Sequence, residues 1–348
     1  MGDFFDTTVA VVGMGPTGGV LANLLGARGV RVDVFERDVQ VHPRPRGVHL
    51  DGEAMRVLQQ IGVAERIGPM AMPVTGMDLL DPGGRLLFRY AAPAPPGPLG
   101  WAEGYMVHQP DLERELRRRA AEHPSVSLHA GTEVERIDLL PDGGAALRVR
   151  TRDGTRRVRA RFVVGCCGAR SITRAAVGSG LFDYGRHQPW LVVDVALRRE
   201  LPLPGVTVQY CDPARPATYV PMPGNRRRFE IRVMPGDDAA ALAEEGAVRE
   251  RLARWLQPDD YEVERAAVYT FHALVADRWR RGPLLIAGDA AHQMPPFLGQ
   301  GMCAGIRDAA NLAWKLELVA RGVASPSLLD TYQAEREPHV RRIIEADL

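Results

Sequence analysis

The N-terminal part of the chain alternates between apolar strands and one apolar-faced helix. The β-branched run TTVAVVG (Thr7 to Gly13) predicts a buried strand. The next stretch, MGPTGGVLANLLGARG, spaces its apolar residues as a helix does, and Gly29 suits the helix end. The segment VRVDVFER, with alternating valines, predicts a second strand. Because strand, glycine turn, helix and strand form a βαβ unit, this pattern predicts a parallel sheet.

The middle of the chain follows a different pattern. From Ala71 to Gly100, two short apolar runs flank DPGG, which predicts a hairpin. The segment HQPDLERELRRRAAEHP predicts an amphipathic helix. From about Pro189 to Thr270 the pattern is one of extended runs, interrupted by the helical piece AVRERLARWL. The strand signal returns in GPLLIAG, and a long helix follows it.

These elements predict an α/β fold of two domains. We expect a Rossmann-like nucleotide-binding domain to be interrupted by a second, largely antiparallel β domain that binds substrate. The predicted nucleotide-binding domain takes residues 1–72, 101–180 and 280–348, and the substrate domain takes 73–100 and 181–279.

The composition of the chain indicates which class of binding partner to expect. Lys plus Arg (44) nearly balance Asp plus Glu (43), so no net field favours nucleic acid or an anionic membrane, and a small-molecule partner is expected. No signal sequence opens the chain, and no apolar run approaches the roughly 18 residues of a membrane span, so we expect a cytoplasmic location. The four cysteines show neither metal-ligand nor redox-pair spacing, and no metal is expected.

The first glycine turn has the spacing of a dinucleotide site. Gly13, Gly15 and Gly18 form G-x-G-x-x-G between a predicted strand and a predicted helix. This arrangement provides a tight turn, close approach of the backbone to a pyrophosphate, and close packing of helix on strand. Pro16 and Thr17 complete the turn, and the helix N-terminus favours phosphate.

Glu36, at the end of the next strand, indicates which dinucleotide binds. A carboxylate at this position accepts hydrogen bonds from ribose hydroxyls and repels a 2′-phosphate. The tightly bound dinucleotide is therefore expected to be FAD or NAD rather than NADP. Arg37 either contacts the nucleotide or is an ordinary surface residue.

A second glycine-rich stretch, GDAAHQMPPFLGQGM, favours FAD over NAD. Asp289 follows an apolar strand, so its carboxylate should emerge at the carboxyl edge of the sheet and accept from ribityl or ribose hydroxyls. Gly299 and Gly301 would let the backbone approach a flavin ring. A nicotinamide dehydrogenase with one nucleotide site gives no reason for this second stretch.

The helix after this stretch supports the same prediction. Its apolar residues fall on one stripe, and it should begin between Gly299 and Met302. The positive end of its dipole could stabilise the negative charge of a reduced flavin. Pro295 and Pro296 remove two N–H donors and stiffen the wall of the site.

The two glycine-rich stretches resemble those of the FAD-dependent aromatic hydroxylases with the para-hydroxybenzoate hydroxylase fold (group A flavoprotein monooxygenases). The segment LLIAGDAAHQMPPFLGQGMCAGIRDAANLAWKL is most similar to 3-(3-hydroxyphenyl)propionate hydroxylases. The resemblance implies that NADH or NADPH transiently reduces FAD. Oxygen then forms a flavin C4a-hydroperoxide, which hydroxylates a phenolic aromatic substrate such as a 3-hydroxyphenylpropanoid-like acid. It is also compatible with a homodimer.

The resemblance also implies roles for individual residues. Arg46 matches an arginine near the flavin and nicotinamide phosphates, and Gln109 matches a glutamine that contacts the ribityl chain. Pro295 and Pro296 would line the site of oxygen transfer. No acid or base is assigned. The expected cofactor contacts are Gly13, Gly15, Pro16, Thr17, Gly18, Glu36, Arg37, Arg46, Gln109, Asp289, Gly299, Gln300, Gly301 and Met302. In the substrate domain Tyr210, Tyr219, Arg232 and His272 are candidates without an assigned role.

One departure from the family keeps other hypotheses open. The middle motif VVGCCGARSITR has Cys167 where the family usually has aspartate, so a charged acceptor near the nicotinamide path is missing. A flavin-binding protein with impaired hydroxylase activity is therefore one alternative. A hydroxylase of polycyclic aromatic polyketides, which shares all the FAD motifs, is another.

Overall fold

The computed structural model describes residues 5–141 and 143–348 and divides into two compact units. The first unit contains the residues up to Gly68, Gln109–Gly185 and Ala273–Leu348, and the second contains Pro69–His108 and Arg186–His272. The assignment of one domain to FAD and the other to substrate stays a prediction.

Strands and helices alternate in the first unit, whereas strands dominate the second. The strands are β1 (Thr7–Val12), β2 (Val32–Glu36), β3 (His49–Asp51), β4 (Met72–Pro73), β5 (Gly76–Leu80), β6 (Leu86–Ala91), β7 (Gly104–Met106), β8 (Val126–Ala130), β9 (Glu133–Leu139), β10 (Ala145–Thr151), β11 (Gly154–Gly165), β12 (Leu181–Leu197), β13 (Thr207–Tyr210), β14 (Ala217–Pro221), β15 (Arg226–Arg232), β16 (Tyr261–Ala276), β17 (Arg280–Arg281), β18 (Leu284–Ile286) and β19 (His292–Gln293). The α-helices are α1 (Pro16–Gly26), α2 (Gly52–Gln60), α3 (Ala64–Ile67), α4 (Gln109–Ala121), α5 (Ile172–Val177), α6 (Ala239–Leu242), α7 (Glu245–Leu252), α8 (Gly301–Ala320) and α9 (Thr331–Asp347).

The first unit is built on a sheet with the order β17-β18-β11-β1-β2-β8, in which β18, β11, β1, β2 and β8 run parallel. The register pairs Val12 with both Gly165 and Phe35, and Gly165 with Ile286. The carboxyl ends of four strands therefore lie side by side. In parallel sheets this edge is the one that binds ligands, and both glycine-rich stretches follow strands that end there.

Apolar side chains on both faces explain why these strands form the centre of the unit. Val9, Ala10, Val11 and Val12 of β1 are buried, as expected for a parallel strand covered by helices. Helix α8 packs against α1. Of the predicted apolar stripe of α8, Ile306, Ala309, Ala313 and Leu316 are buried, whereas Met302 and Ala320 are partly exposed.

The second unit contains a sheet with the order β16-β12-β15-β14-β13-β5-β6. Neighbouring strands run antiparallel from β12 to β13, and β13 pairs with β5 in parallel. One face packs into a core that includes Leu191, Tyr219, Phe229 and Leu252. The predicted α/β fold with a largely antiparallel second part is thus confirmed.

Most of the local predictions match, and four helices, α2, α3, α5 and α6, had no prediction. The DPGG hairpin joins β5 and β6, with the Asp81 N–H donating to the Arg85 carbonyl at 2.9 Å. The helical piece of the second unit, α7, begins at Glu245 and ends at Leu252. Helix α2 was not predicted, although Asp51 caps it by accepting from the Ala54 N–H at 2.8 Å.

Candidate cofactor site

The first glycine turn has a shape that glycine alone allows. Gly13 has a φ of +96°, and a Cβ there would lie 2.6 Å from the Cys166 carbonyl oxygen. A Cβ on Gly18 would collide with the Gly13 carbonyl oxygen. At Gly15, by contrast, a Cβ would meet no described atom within 4 Å. The turn is therefore tight on its protein side and open beside Gly15.

Helix α1 presents an uncapped N-terminus at this turn. Gly15 is its N-cap residue and Pro16 lies in the first turn, where the missing N–H costs nothing. Within α1 no side chain caps the N-terminus and the first turn has no acidic residue. The free N–H groups and the positive dipole end can therefore receive a phosphate.

Glu36, the last residue of β2, is fixed beside the turn. Its Oε2 accepts from the Met14 N–H at 2.8 Å, and its Oε1 accepts from the Asp38 N–H at 3.0 Å. Each carboxylate oxygen keeps a lone pair for a further donor such as a ribose hydroxyl. The side chain is half-buried, whereas neighbouring Arg37 is exposed.

Thr17 brings the two glycine-rich stretches together. Its Oγ1 would lie 2.6 Å from a Cβ on Gly288, which has a φ of +62°, and it would collide with a Cβ on Gly305. Thr17 thus fits between two glycines, one in the Gly-Asp turn and one in α8. The chain segments around Gly13 and Asp289 are therefore neighbours in the folded unit.

Asp289 follows Gly288 in the 3₁₀ turn after β18. Its side chain reaches solvent, but the protein that surrounds it restricts hydration and raises the pKa of the carboxyl group. His292 and Arg46 oppose this shift through their charges. An accessible carboxylate in such a recess can accept hydrogen bonds from ligand hydroxyls.

Gln109 organises the backbone at Arg46. Its Oε1 accepts from the N–H groups of Arg46 and Gly47, at 3.0 and 2.6 Å, and its Nε2 donates to Glu113 at 2.7 Å. Met302 lies close by, with its Sδ 3.5 Å from a Cβ placed on Gly47. Arg46, Gln109 and Met302 are therefore brought together. Because the Gln109 oxygen already has two donors, its amide N–H is the group left for a ligand.

The proline segment forms a folded turn before α8. Pro295 is buried, and the Pro296 carbonyl accepts from the Gly299 N–H at 2.9 Å. Gly299 has a φ of +66°, and a Cβ there would lie 3.0 Å from the His49 ring. Burial lowers the pKa of His49, so this ring is neutral near pH 7. Its Nδ1 lies 3.2 Å from the Gly299 carbonyl oxygen.

Arg307 fixes the N-terminus of α8. It donates to the Gln300 side chain at 3.0 Å and also pairs with Asp51 and Glu53. Gln300 is the N-cap residue, and Gly301 is the first residue of the helix. The start of α8 is thus held against the start of α2, and its positive dipole end has a fixed position.

Cys167 lies against the first glycine turn. A Cβ on Gly13 would come 2.8 Å from the Cys167 Cα. The Cys167 Sγ lies 3.0 Å from Ser171 Oγ, which also caps α5 by accepting from the Arg174 N–H. The thiol therefore takes part in a local polar contact, and all four cysteines of the chain are free thiols.

Two of the substrate-domain candidates, Tyr219 and Tyr210, lie in the apolar core of the second unit. Tyr219 is fully buried in the core of the second unit and donates to the Pro204 carbonyl at 3.0 Å, and Tyr210 belongs to the same core. Arg232 ends β15 and is half-buried. His272 Nδ1 lies 2.8 Å from His187 Nδ1.

The sequence did not predict the buried ionic residues behind the site. Asp308 and His292 are buried and hydrogen-bonded to each other, and Asp308 also bonds Arg336. The available signal was an aspartate inside the buried stripe of α8, where an unpaired carboxylate would be costly. Glu113 was likewise missed, although it lies one helical turn after Gln109.

These features match the predicted dinucleotide site and give it two separate candidate anchor points. The space beside Gly15 could receive a pyrophosphate, Glu36 could accept from a ribose, and Asp289 provides a second carboxylate next to Gly288. This donor and acceptor set fits the long FAD molecule. Among the described residues, no group of three or more His, Cys, Asp or Glu side chains could hold a metal ion, and no helix is long and apolar enough to cross a membrane.

The chain belongs to the FAD binding domain family, whose model matches residues 6–347. It is 42% identical over 338 residues to a probable NADH-specific resorcinol 4-hydroxylase from Rhodococcus jostii (strain RHA1), covering 97% of this chain and 63% of that protein. It is 40% identical over 345 residues to a 3-(3-hydroxy-phenyl)propionate/3-hydroxycinnamic acid hydroxylase from Mycobacterium sp. (strain JLS), covering 99% and 59%. The chain thus spans about three fifths of the length of these curated relatives.

Solved structures share the fold over nearly the whole chain. The p-nitrophenol 4-monooxygenase of Pseudomonas putida DLL-E4 superposes with a TM-score of 0.90 at 26% identity, covering 98% of this chain and 87% of that chain. Aklavinone-11 hydroxylase, in complex with FAD and aklavinone, gives a TM-score of 0.88 at 26% identity, covering 99% and 68%. The resemblance to FAD-dependent aromatic hydroxylases is confirmed, and FAD is the cofactor.

Proposed function

We propose that this chain is the FAD-dependent part of an aromatic hydroxylase that uses NADH or NADPH and O₂ to hydroxylate a phenolic substrate. The observation that carries the proposal is the contact of Thr17 with Gly288, because it makes the two segments that are predicted to bind the nucleotide neighbours in the fold. Relatives at 42% and 40% identity that are named as phenol hydroxylases support the reaction type.

The residues of the first turn would hold the adenosine half of FAD. The N–H groups at the start of α1 would bind the pyrophosphate beside Gly15, and Glu36 would accept from the ribose hydroxyls. Because both Glu36 oxygens already accept a backbone N–H, the carboxylate is oriented before the nucleotide binds. A pre-oriented acceptor loses less conformational freedom on binding.

The residues of the second stretch would hold the other half. Asp289 would accept from ribityl hydroxyls, and the remaining Gln109 N–H would donate nearby. Arg46 would add positive charge near the phosphates. Residues Gly299, Gln300, Gly301 and Met302 would lie along the flavin edge, where the α8 N-terminus stabilises negative charge.

When bound, FAD supplies the electron transfer from NAD(P)H and the activation of O₂ that hydroxylation needs. Protein side chains then contribute position and exclusion of water rather than acid–base chemistry. Pro295 and Pro296 present no N–H groups to water, and the Gly299–Pro296 hydrogen bond keeps this wall folded.

The substrate we favour is a small phenolic acid of the 3-hydroxyphenylpropanoid type, in line with the second relative's name. The name of the first relative supports a resorcinol-like diphenol as another candidate substrate. A polycyclic aromatic polyketide is a second candidate, because aklavinone-11 hydroxylase shares the fold at a TM-score of 0.88. A homodimer and a cytoplasmic location stay predictions.

A substrate panel tests the proposal. We expect the purified protein to be yellow, and NADH oxidation to accelerate with a phenolic acid or a diphenol while a hydroxylated product accumulates. Product identification separates hydroxylation from uncoupled peroxide release. A yellow protein that oxidises no NADH or NADPH with any phenol would favour the flavin-binding protein with impaired activity. A protein that cannot be reconstituted with FAD would contradict the proposal.

A further inference from the structure

Three ionisable side chains lie buried behind the Gly-Asp turn and have no part in the chemistry described above. Asp308 is fully buried in α8, His292 is 1% exposed, and Arg336 of α9 is 8% exposed. Burying charges is costly unless each is paired and hydrogen-bonded. Their arrangement therefore needs a physical reason.

Asp308 accepts three hydrogen bonds that together fix its carboxylate. Oδ2 accepts from the Gly288 N–H at 3.0 Å and from His292 Nε2 at 2.7 Å, and Oδ1 accepts from Arg336 Nε at 2.9 Å. Burial by itself would raise the pKa of Asp308, but His292 and Arg336 outweigh it and lower the pKa. Asp308 is therefore an ionised carboxylate that binds the backbone of the Gly-Asp turn directly.

Two further contacts hold the same turn from other sides. The Tyr332 hydroxyl donates to the Ile286 carbonyl at 3.0 Å, and Arg174 donates to the Ala290 carbonyl at 3.0 Å. Gly288 is also confined by Thr17. The backbone on both sides of Asp289 thus has fixed partners, whereas the Asp289 side chain reaches solvent.

His292 links the buried and the exposed carboxylates. Its Nε2 lies 2.7 Å from Asp308 Oδ2, and His292 follows Asp289 by three positions in the chain. The buried Nδ1 has no hydrogen-bond partner among the described residues. The ring therefore depends on Asp308 for its hydrogen bond among the described residues, and it also packs against Trp279 with ring centroids 5.5 Å apart. Loss of Asp308 removes the hydrogen bond of the ring and that of the Gly288 N–H.

We propose that Asp308, together with His292 and Arg336, is a positioning unit that sets the direction of the Asp289 carboxylate toward the ribityl half of FAD. This inference rests on the proposed role of Asp289. It assigns no contact between Asp308 and the cofactor. It accounts for a buried charge cluster that neither the glycine turn nor the reaction requires.

The test compares FAD with ADP as ligands of the deflavinated full chain. FAD spans both anchor points, whereas ADP reaches only the glycine turn and Glu36. In Asp308→Asn one side-chain oxygen remains, whereas the two oxygens of Asp308 accept from three donors. FAD affinity should therefore fall by ~10-fold or more, as expected for the loss of a charge-assisted hydrogen bond. ADP affinity should stay within about twofold, because the first anchor point keeps its contacts.

Reference variants separate this inference from the proposed function. Asp289→Asn should weaken FAD but not ADP, and Glu36→Gln should weaken both. Asp330→Asn, in an exposed ion pair with Arg280, serves as the matched control and should change neither affinity. If Asp289→Asn leaves FAD affinity unchanged, the role of Asp289 fails and the positioning role fails with it.

The double variant Asp308→Asn with Arg336→Gln guards against unfolding, because it removes the buried pair without leaving an unpaired charge. It should repeat the selective loss of FAD affinity. Unchanged FAD affinity, or equal losses for FAD and ADP, would overturn the positioning role while Asp289→Asn still weakens FAD. Failure of both Asp308 variants to fold would show a purely structural role and would also overturn the inference.

Discussion

Thr17 and Gly288 are in contact, although they lie 271 positions apart in the sequence. A Cβ on Gly288 would lie 2.6 Å from the Thr17 Oγ1, so the Gly-Asp turn can lie against α1 only because residue 288 is glycine. This contact places Asp289 in the same unit as the first glycine turn.

Gly288→Ala should destabilise the chain and weaken FAD binding. The φ of +62° costs an alanine about 1–2 kcal/mol, and the clash with Thr17 adds about 1–3 kcal/mol of overpacking. Gly282→Ala is the matched control, since Gly282 has a φ of +56° but no described atom near its Cβ position. Urea unfolding should show a larger loss for Gly288→Ala. Equal losses would mean that the Thr17 contact contributes nothing.

Glu36→Gln should weaken FAD by roughly 10- to 100-fold, because one anionic oxygen that orients the ribose is lost. Glu65→Gln, an exposed residue of α3, is the control and should bind FAD like the wild type. Fluorescence titration of the deflavinated protein measures both. An unchanged dissociation constant of FAD for Glu36→Gln would show that Glu36 does not bind the adenosine ribose.

Cys167→Asp should raise the rate of flavin reduction by NADH, because it restores the charged acceptor that the family usually has at this position. The side chain lies next to Gly13 and Ser171, so an aspartate would also accept from the Ser171 hydroxyl. Cys167→Ser keeps the size without the charge and should leave the rate near that of the wild type. Stopped-flow measurement of flavin reduction by NADH tests this prediction. An unchanged or lower rate for Cys167→Asp would contradict it.

Glu113 should make stability depend on pH. Burial raises its pKa above the usual 4.5, with hydrogen bonding from Gln109 opposing the shift. A carboxyl group whose folded pKa is raised stabilises the fold most below pH 4.5, and that contribution is lost as the pH rises through the folded pKa. The free energy of unfolding of the wild type should therefore fall relative to that of Glu113→Gln as the pH rises above 4.5. If the free energy of unfolding changes equally with pH in the two proteins above pH 4.5, the raised pKa of Glu113 is contradicted.

Local signals were sufficient for the parts of the site that depend on backbone geometry. Gly13, Gly18 and Asp289 could be predicted because glycine spacing and strand ends specify where the chain turns. Asp308 and Arg307 could not, because they pair with residues of other elements that only tertiary packing brings close. Glu113 pairs with Gln109 within α4, but its burial likewise depends on tertiary packing. Helix α2 carried local signals that went unused, because Asp51 caps it and Ala54, Met55 and Leu58 are buried. The pairing of Asp51 with Arg307 could not be predicted, since it depends on tertiary packing.

The substrate residues lay beyond sequence reasoning for a related reason. Tyr219 and Tyr210 had the right chemistry for a phenol, but alternation along β13 and β14 places them in the apolar core. Which face of a strand a side chain occupies depends on register, and a shift of one residue reverses it. Residue type alone therefore could not separate core tyrosines from ligand-binding ones.

The most direct test of the account is a crystal structure of this chain with FAD. One FAD per chain is expected, with its adenosine ribose within hydrogen-bond distance of Glu36 and its ribityl hydroxyls within hydrogen-bond distance of Asp289. An FAD that bonds Glu36 but leaves Asp289 without a contact, or one bound elsewhere on the chain, would contradict it.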